Sequence, residues 1–256
     1  MSNLTLKLLR SVKDKLDNDG QIEKPYRFLF LGYSDIHATD EYYLQNYGPN
    51  ALKSLEQRPN VEKLKSIHSC GPNVSYIPTL KSVLKVMFGD DVEHEVFDFQ
   101  KYEGNEQIID LNDPIPEQYR NRYHFVIDAG TTEHVFDYAQ ALRNCATLVK
   151  LHGYIYHGVP MNWPNHGFYN ISPTLYYDFY EDNGFKTILF KGFSQTVIDG
   201  KKVQVNVDNM SLTERFSFSS LGGLEVDLRY IVQKIEETDK YVNPIQRKYR
   251  DASRWI

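Results

Sequence analysis

The chain has 256 residues, 41% hydrophobic and 25% charged, enough for one large α/β domain with an ordinary soluble composition. Its formal net charge of −5 argues against a nucleic-acid surface, and it has no apolar run of about 18 residues to span a membrane. Two cysteines, Cys70 and Cys145, cannot build a disulfide framework, and a reducing cytoplasm is the expected compartment.

The opening residues read as a short amphipathic helix, with Leu4, Leu6, Leu8 and Leu9 followed by charge. They lack the long apolar core and cleavage site of a signal peptide. Tyr26 to Leu31 is the first strand candidate and stops at Gly32. About fifty residues, 39–89, then precede the next strand, far more than an ordinary crossover needs. They are expected to form an insertion or lid, with a helix near Tyr76 to Met87. Glu95 to Phe99, Gln107 to Leu111 and His124 to Asp128 follow as strands, each with an acid at or near its end. The gap from Asp98 to Gln107 is too short for a crossover helix. Either that helix has shrunk to a turn at Gly104 or one of the two strands is misassigned.

Phe136, Ala139, Leu142, Ala146 and Val149 recur at helical spacing, which predicts a helix over 136–150 with Gly153 as its stop. Tyr154 to Gly158 is the next strand. A helix from Ser172 to Asn183 is framed by Ser172 as cap, Pro173 in the first turn and Gly184 as terminator. After the strand Lys186 to Phe190, alternation in Val203 to Val207 and Arg215 to Ser219 predicts an antiparallel pair. The charged stretch from Asp227 to Glu237 is expected to be helical, followed by a tail. Strands alternating with helices imply a mostly parallel sheet. The expected organisation is a single domain over 1–256. Its sheet core lies in 24–38 and 90–220, the insertion in 39–89, and a C-terminal helix and tail in 221–256.

Open α/β sheets present ligands at the carboxyl edge of their strands, so the acids and glycine turns at strand ends are the first candidates for chemistry. These are Gly32 with Tyr33 and Asp35, then Asp98, Asp110 with Leu111, and Asp128 with Gly130. Taken singly, each Asp is equally an ordinary strand-end turn. His134 sits just past the Asp128 turn, and His157, Asn162, His166 and Tyr169 cluster after the fifth parallel strand. The chain is also rich in Tyr (19) and Phe (14), which fill cores and also line sugar and nucleoside pockets.

The strand-end acids, the segment Ile127-Asp128-Ala129-Gly130-Thr131-Thr132-Glu133-His134-Val135-Phe136 and the later Asn165 to Phe185 together resemble class I S-adenosylmethionine-dependent methyltransferases. The likeness runs from about Tyr26 to Phe193 and leans toward a bacterial branch encoded with surface- and capsular-polysaccharide genes. It implies a Rossmann-like α/β fold: a seven-stranded, mostly parallel sheet with a terminal antiparallel hairpin and, here, an insertion after the first strand. It also implies S-adenosyl-L-methionine as cofactor. Gly32, Tyr33 and Asp35 would hold the methionine part, Asp98 the ribose hydroxyls, and Asp110 and Leu111 the adenine. Asp128 and Gly130 would lie where cofactor and acceptor meet. Only one glycine remains in Leu31 to Asp35, where the family has a glycine-rich loop.

On this resemblance the expected activity is O-methylation of a small polar acceptor: a sugar, a nucleotide-sugar, or a phosphate- or phosphoramidate-bearing building block of surface polysaccharide. Methyl transfer needs the acceptor in line with sulfur, and a base of near-neutral pKa can take its proton. His166 is the leading candidate for that base, with His134 and Tyr169 beside it, and His157, Asn162, His166 and Tyr169 shaping the acceptor pocket. A homodimer is allowed. His152, His157 and His166 lack the i, i+4 ligand pattern and His68-Ser69-Cys70 is isolated, so no metal is expected. Cys145, on an apolar helix face, is not expected to be a nucleophile. Two other readings compete. One is a non-catalytic Rossmann-like domain that binds a nucleotide or partner. The other, a nicotinamide oxidoreductase, lacks its G-x-G-x-x-G after Leu31.

Overall fold

The first strand, β1 (Tyr26–Leu31), buries every residue except Arg27, as the nearly unbroken apolar run YRFLFL demands of a strand covered on both faces. It belongs to a computed structural model that describes residues 1, 3–20, 22–59, 77–101, 105–198, 201–205 and 224–250. The chain divides into two compact units, Met1–Gln107 and Ile108–Ile256.

In the first unit, β1 pairs in parallel with β2 (Val92–Asp98), from Tyr26 opposite Val92 to Leu31 opposite Phe97. Helix α1 (Asn3–Asp19) buries Leu6, Leu9 and Val12, and its Asn3 side chain accepts from the Thr39 N–H at 3.0 Å. Thr39 in turn caps α2 (Asp40–Tyr47) by accepting from the Tyr42 N–H, which satisfies a donor the helix leaves unpaired. Short α3 (Pro49–Ser54) follows. Helix α4 (Leu80–Phe88) begins at a Thr79 cap and ends at Gly89. It buries Leu80, Val83, Leu84, Met87 and Phe88, and the Phe88 ring packs edge-on against Phe28 at 4.8 Å. The helix expected near 76–87 is therefore present, starting slightly later. Residues 60–76 of the insertion lie outside the described residues.

In the second unit, β4 (Tyr123–Asp128) is buried at all six positions and pairs in parallel with β5 (Val149–Pro160). Helix α5 (Tyr138–Leu148) starts at Asp137, whose side chain accepts from the Gln140 N–H at 2.9 Å, and runs directly into β5. Gly153 is thus not a helix stop. It lies within β5, where the register with β4 shifts between Tyr123 and Phe125. Helix α6 (Pro173–Glu181) follows Ser172, then β6 (Phe185–Ile198) and β7 (Lys201–Val205), an antiparallel pair.

The expected helix over 227–237 is corrected by β8 (Val226–Lys234), which runs antiparallel to both β5 and β6. The charges within β8 are paired rather than solvated. Asp227 holds Arg229 at 2.6 Å, and Lys234 reaches Asn121 Oδ1 and Glu237 at 2.8 Å. Val226, Leu228, Tyr230 and Val232 fill the core, so tertiary pairing overrides local charge pattern. Of the expected hairpin, the first arm is displaced to β7, and Arg215 to Ser219 lie outside the described residues.

In the first unit β1 and β2 lie side by side, and in the second the strand order is β4-β5-β8-β6-β7, while β3 (Gln107–Ile108) is reduced to two residues. The fold is α/β and Rossmann-like. It has the expected mostly parallel sheet and terminal antiparallel strands, extended by the edge strand β7. Between Asp98 and Gln107 the described residues carry no helix, and Gly104, where the turn was expected, lies outside the described residues. Among the described residues no helix is long and apolar enough to cross a membrane.

Candidate functional site

In the first unit the carboxyl ends of β1 and β2 bring together Gly32, Tyr33 and Asp98. Gly32 turns the chain at φ 70°, a conformation costly for any residue with a Cβ, and its N–H donates to the Phe97 carbonyl at 2.8 Å. The next N–H, of Tyr33, donates to Asp98 Oδ2 at 3.2 Å, and Gln100 N–H donates to Oδ1 at 3.3 Å. Among the described residues each Asp98 oxygen has one hydrogen-bond donor, which leaves a second lone pair to accept from a pair of ligand hydroxyls.

Asp35 is placed differently from its neighbours, because its carboxylate forms an ion pair with buried Arg58. That guanidinium also lies over the Tyr33 ring, 4.1 Å from its centroid. Arg58 is positioned by its N–H to the Ile77 carbonyl, beside the Gln57–Pro78 bridge. The sequence reading missed it because it lies within the presumed lid, more than twenty residues from Tyr33.

In the second unit Asp110 is exposed and accepts from the N–H and side chain of Asn112, which hold its carboxyl below the usual range. Leu111 is buried, and its carbonyl accepts from the Asn144 side chain at 3.0 Å. Asp128 is fully buried. Its Oδ1 accepts from the N–H groups of Thr131 and Thr132, and its Oδ2 from the Thr132 hydroxyl at 2.6 Å and His157 Nδ1 at 2.7 Å. Burial pushes the Asp128 carboxyl up, but the His157 contact and the Thr132 donors outweigh it, leaving the pKa below its ordinary value.

With all four acceptor sites filled, Asp128 has none left for a cofactor, contrary to the sequence expectation. His157 is likewise not an acceptor-pocket residue in this structure. It is fully buried and stacked on Tyr176 at 4.5 Å, with its Nε2 2.6 Å from the Tyr180 hydroxyl. Burial raises the Tyr180 pKa well above 10, so the phenol keeps its proton and donates it to Nε2, while Nδ1–H donates to Asp128. The Asp128–His157–Tyr180 chain is therefore a structural tie between β4, β5 and α6.

Asn162 also has a structural task. Its side chain donates to the Leu224 carbonyl at 2.7 Å and accepts from the Val226 N–H at 2.6 Å, fastening the loop after β5 to β8. Tyr169 is half-buried, and its hydroxyl donates to the Phe136 carbonyl at 2.7 Å. A short turn, Thr132–His134, carries Glu133 and His134 out of the β4 end.

The carboxylate of Glu133 is the group the sequence reading passed over. It is fully buried, and neither oxygen has a hydrogen-bond partner among the described residues. Its Oε1 lies 3.5 Å from His166 Nε2 and 3.9 Å from His134 Nε2, and both imidazoles are about half exposed. Burial, then the negative charge of Asp128, pushes the Glu133 carboxyl from 4.5 up to about 8. The His134 imidazole is pushed down, by burial and by His166. His134 and His166 thus meet as the sequence expected, but over an acid it did not single out. Gly130, at φ 96°, borders this cluster: a Cβ there would lie 3.3 Å from Glu133 Oε1. The Glu133-His134 doublet directly after a strand-end turn was the available signal.

No protein-family model matches the chain, and no curated protein matches it. Among solved structures it is similar to the 1,6-didemethyltoxoflavin-N1-methyltransferase of Burkholderia thailandensis, crystallised with 1,6-didemethyltoxoflavin and S-adenosylhomocysteine. The identity is 10%, over 90% of this chain and 88% of that one, at a TM-score of 0.41. It is also similar to a putative sarcosine dimethylglycine methyltransferase from Galdieria sulphuraria, at 12% identity over 90% and 85% of the chains and a TM-score of 0.43. A SAM-dependent methyltransferase from Archaeoglobus fulgidus gives 13% identity over 90% and 94% at 0.41. Likenesses this distant assign no residue and no reaction to the chain.

Proposed function

We propose that the protein is an S-adenosylmethionine-dependent methyltransferase. The observation that carries this reading is the pairing of the Gly32–Tyr33 turn with Asp98: a glycine at φ 70° beside a carboxylate that retains acceptor capacity. Such a turn lets the backbone approach a ligand closely, and such a carboxylate accepts from both hydroxyls of a ribose. Asp110 and Leu111 then serve the adenine. Gly130 lines the methyl-transfer point, and His134 and His166 stand on the acceptor side, with Tyr169 beside them. Asp128, His157, Asn162 and Asp35 support these groups rather than touch a ligand.

The acceptor proposed is a small polar molecule methylated on oxygen: a sugar, nucleotide-sugar or phosphate-bearing building block of surface polysaccharide. The half-exposed imidazoles suit a hydroxyl acceptor, since a ring nitrogen can accept the hydroxyl proton.

The test is transfer of a labelled methyl group from S-adenosylmethionine to a panel of such acceptors, with binding of S-adenosylhomocysteine measured alongside. Asp98→Ala is expected to weaken that binding by roughly 10- to 100-fold, the worth of hydrogen bonds to a charged group. Failure to bind the nucleoside at millimolar concentration overturns the reading. Binding without transfer to any acceptor favours a non-catalytic nucleotide-binding domain.

A further inference from the structure

A buried acid without a donor is costly, and here it faces two imidazoles. Glu133, His134 and His166 each offer one ligand atom, and these atoms all lie within 4.8 Å of one another. Around a tetrahedral ion with bonds of about 2.0–2.1 Å, ligand atoms sit about 3.3 Å apart. The present separations of 3.5 and 3.9 Å from Glu133 Oε1 come close to that spacing. Both imidazoles are half exposed and can rotate, while the carboxylate is fixed from below.

The frame is rigid where it needs to be. The Glu133 carbonyl accepts from the N–H groups of Phe168 at 2.8 Å and Tyr169 at 3.3 Å, which ties the turn bearing Glu133 and His134 to the loop bearing His166. Gly167 makes this contact possible: it sits at φ 74°, and a Cβ there would lie 2.8 Å from the Glu133 carbonyl oxygen. The Trp163 ring packs against His166 at 5.2 Å.

Charge points the same way. Asp128 and Asp227 act on Glu133 as like charges. Arg229 opposes them, but its Nη2 is engaged by Asp227 at 2.6 Å. Neither carboxylate oxygen has a hydrogen-bond partner among the described residues.

We propose that Glu133, His134 and His166 bind one divalent first-row transition ion, with zinc the best match to two imidazoles and one carboxylate. Three protein ligands leave at least one coordination position for water or another small ligand, the pattern of a reactive rather than a purely structural site. Magnesium, which prefers an all-oxygen octahedron, fits this donor set poorly. The site stands whether or not the protein transfers methyl groups, but an imidazole nitrogen that ligates the ion cannot also take the acceptor's proton.

The experiment is a chelator-buffered zinc titration of the chelator-stripped full chain, with magnesium run in parallel. One equivalent of zinc is expected to saturate the protein, and magnesium to leave it unchanged. Removal of a group that merely orients a ligand costs about 10- to 100-fold in metal affinity, so loss of a ligand should cost at least the upper figure. His166→Ala and Glu133→Gln should each show that loss, whereas His152→Asn, outside the cluster, should bind as the parent does. His166→Ala alters a half-exposed side chain, so it reads the site even if Glu133→Gln disturbs folding. No saturable binding at 100 µM free zinc (about the weak limit of a useful site), or equal binding by parent and His166→Ala, overturns the proposal. Titrating the same samples with S-adenosylhomocysteine reports separately on the methyltransferase reading.

Discussion

Replacing Glu133 with Gln isolates the energetic consequence of burying this acid. In the metal-free protein its carboxyl titrates near 8 instead of 4.5, because burial and the Asp128 charge disfavour the ionised form. The folded-state pKa is raised, so between pH 4.5 and 8 the unfolded chain loses this proton while the folded chain keeps it. Stability from this group therefore falls as pH rises through that window, and levels off above 8. Integrating from pH 5 to pH 8 gives about 3.5 kcal/mol at 1.36 kcal/mol per pKa unit. Gln cannot ionise, so the variant's stability relative to the parent should improve by about that amount over the same range. Other titrating groups largely cancel in the difference, although His134, His166, Asp128, Asp227 and Arg229 face the same carboxylate. Urea unfolding in chelator at pH 5, 6, 7 and 8 measures it. A difference that changes by less than about 1 kcal/mol across the range would refute a perturbed Glu133.

Two further outcomes follow from the buried interior. Tyr180→Phe removes the donor to His157 Nε2 and leaves a buried ring nitrogen unpaired, so urea unfolding should show a loss of about 1–3 kcal/mol; a loss under about 0.5 kcal/mol would mean that the Asp128–His157–Tyr180 chain carries no weight. Cys145 is fully buried with its thiol pushed well above its ordinary pKa, so in a Cys70→Ser background it should react with a thiol reagent only at the rate of unfolding, whereas rapid native-state labelling would contradict its place on α5.

The strands with unbroken apolar runs were legible because burial on both faces leaves no other composition: β1 and β4 fall almost where the sequence puts them. β8 was not, because its charges resemble a solvated helix until Asp227 meets Arg229 and Lys234 meets Asn121. Strand-end position likewise identified Asp98 and Asp128 but not their different fates. Asp98 accepts one backbone donor per oxygen and keeps capacity. Asp128 is saturated by Thr131, Thr132 and a histidine 29 residues along the chain, a pairing no local pattern encodes. The meeting of His134 and His166 was anticipated as chemistry. The acid beneath them was hidden because Glu133 looks like any polar residue of a first helical turn until the loop at Gly167 closes over it.

The proposed methyl-transfer function turns most directly on whether Asp98 holds a cofactor. A crystal structure of the full chain grown with saturating S-adenosylhomocysteine measures this. The account predicts both ribose hydroxyls within hydrogen-bond distance of the Asp98 carboxylate, and the methionine part against Gly32. A chain that stays empty at saturation, or a nucleoside bound away from Asp98, would contradict it.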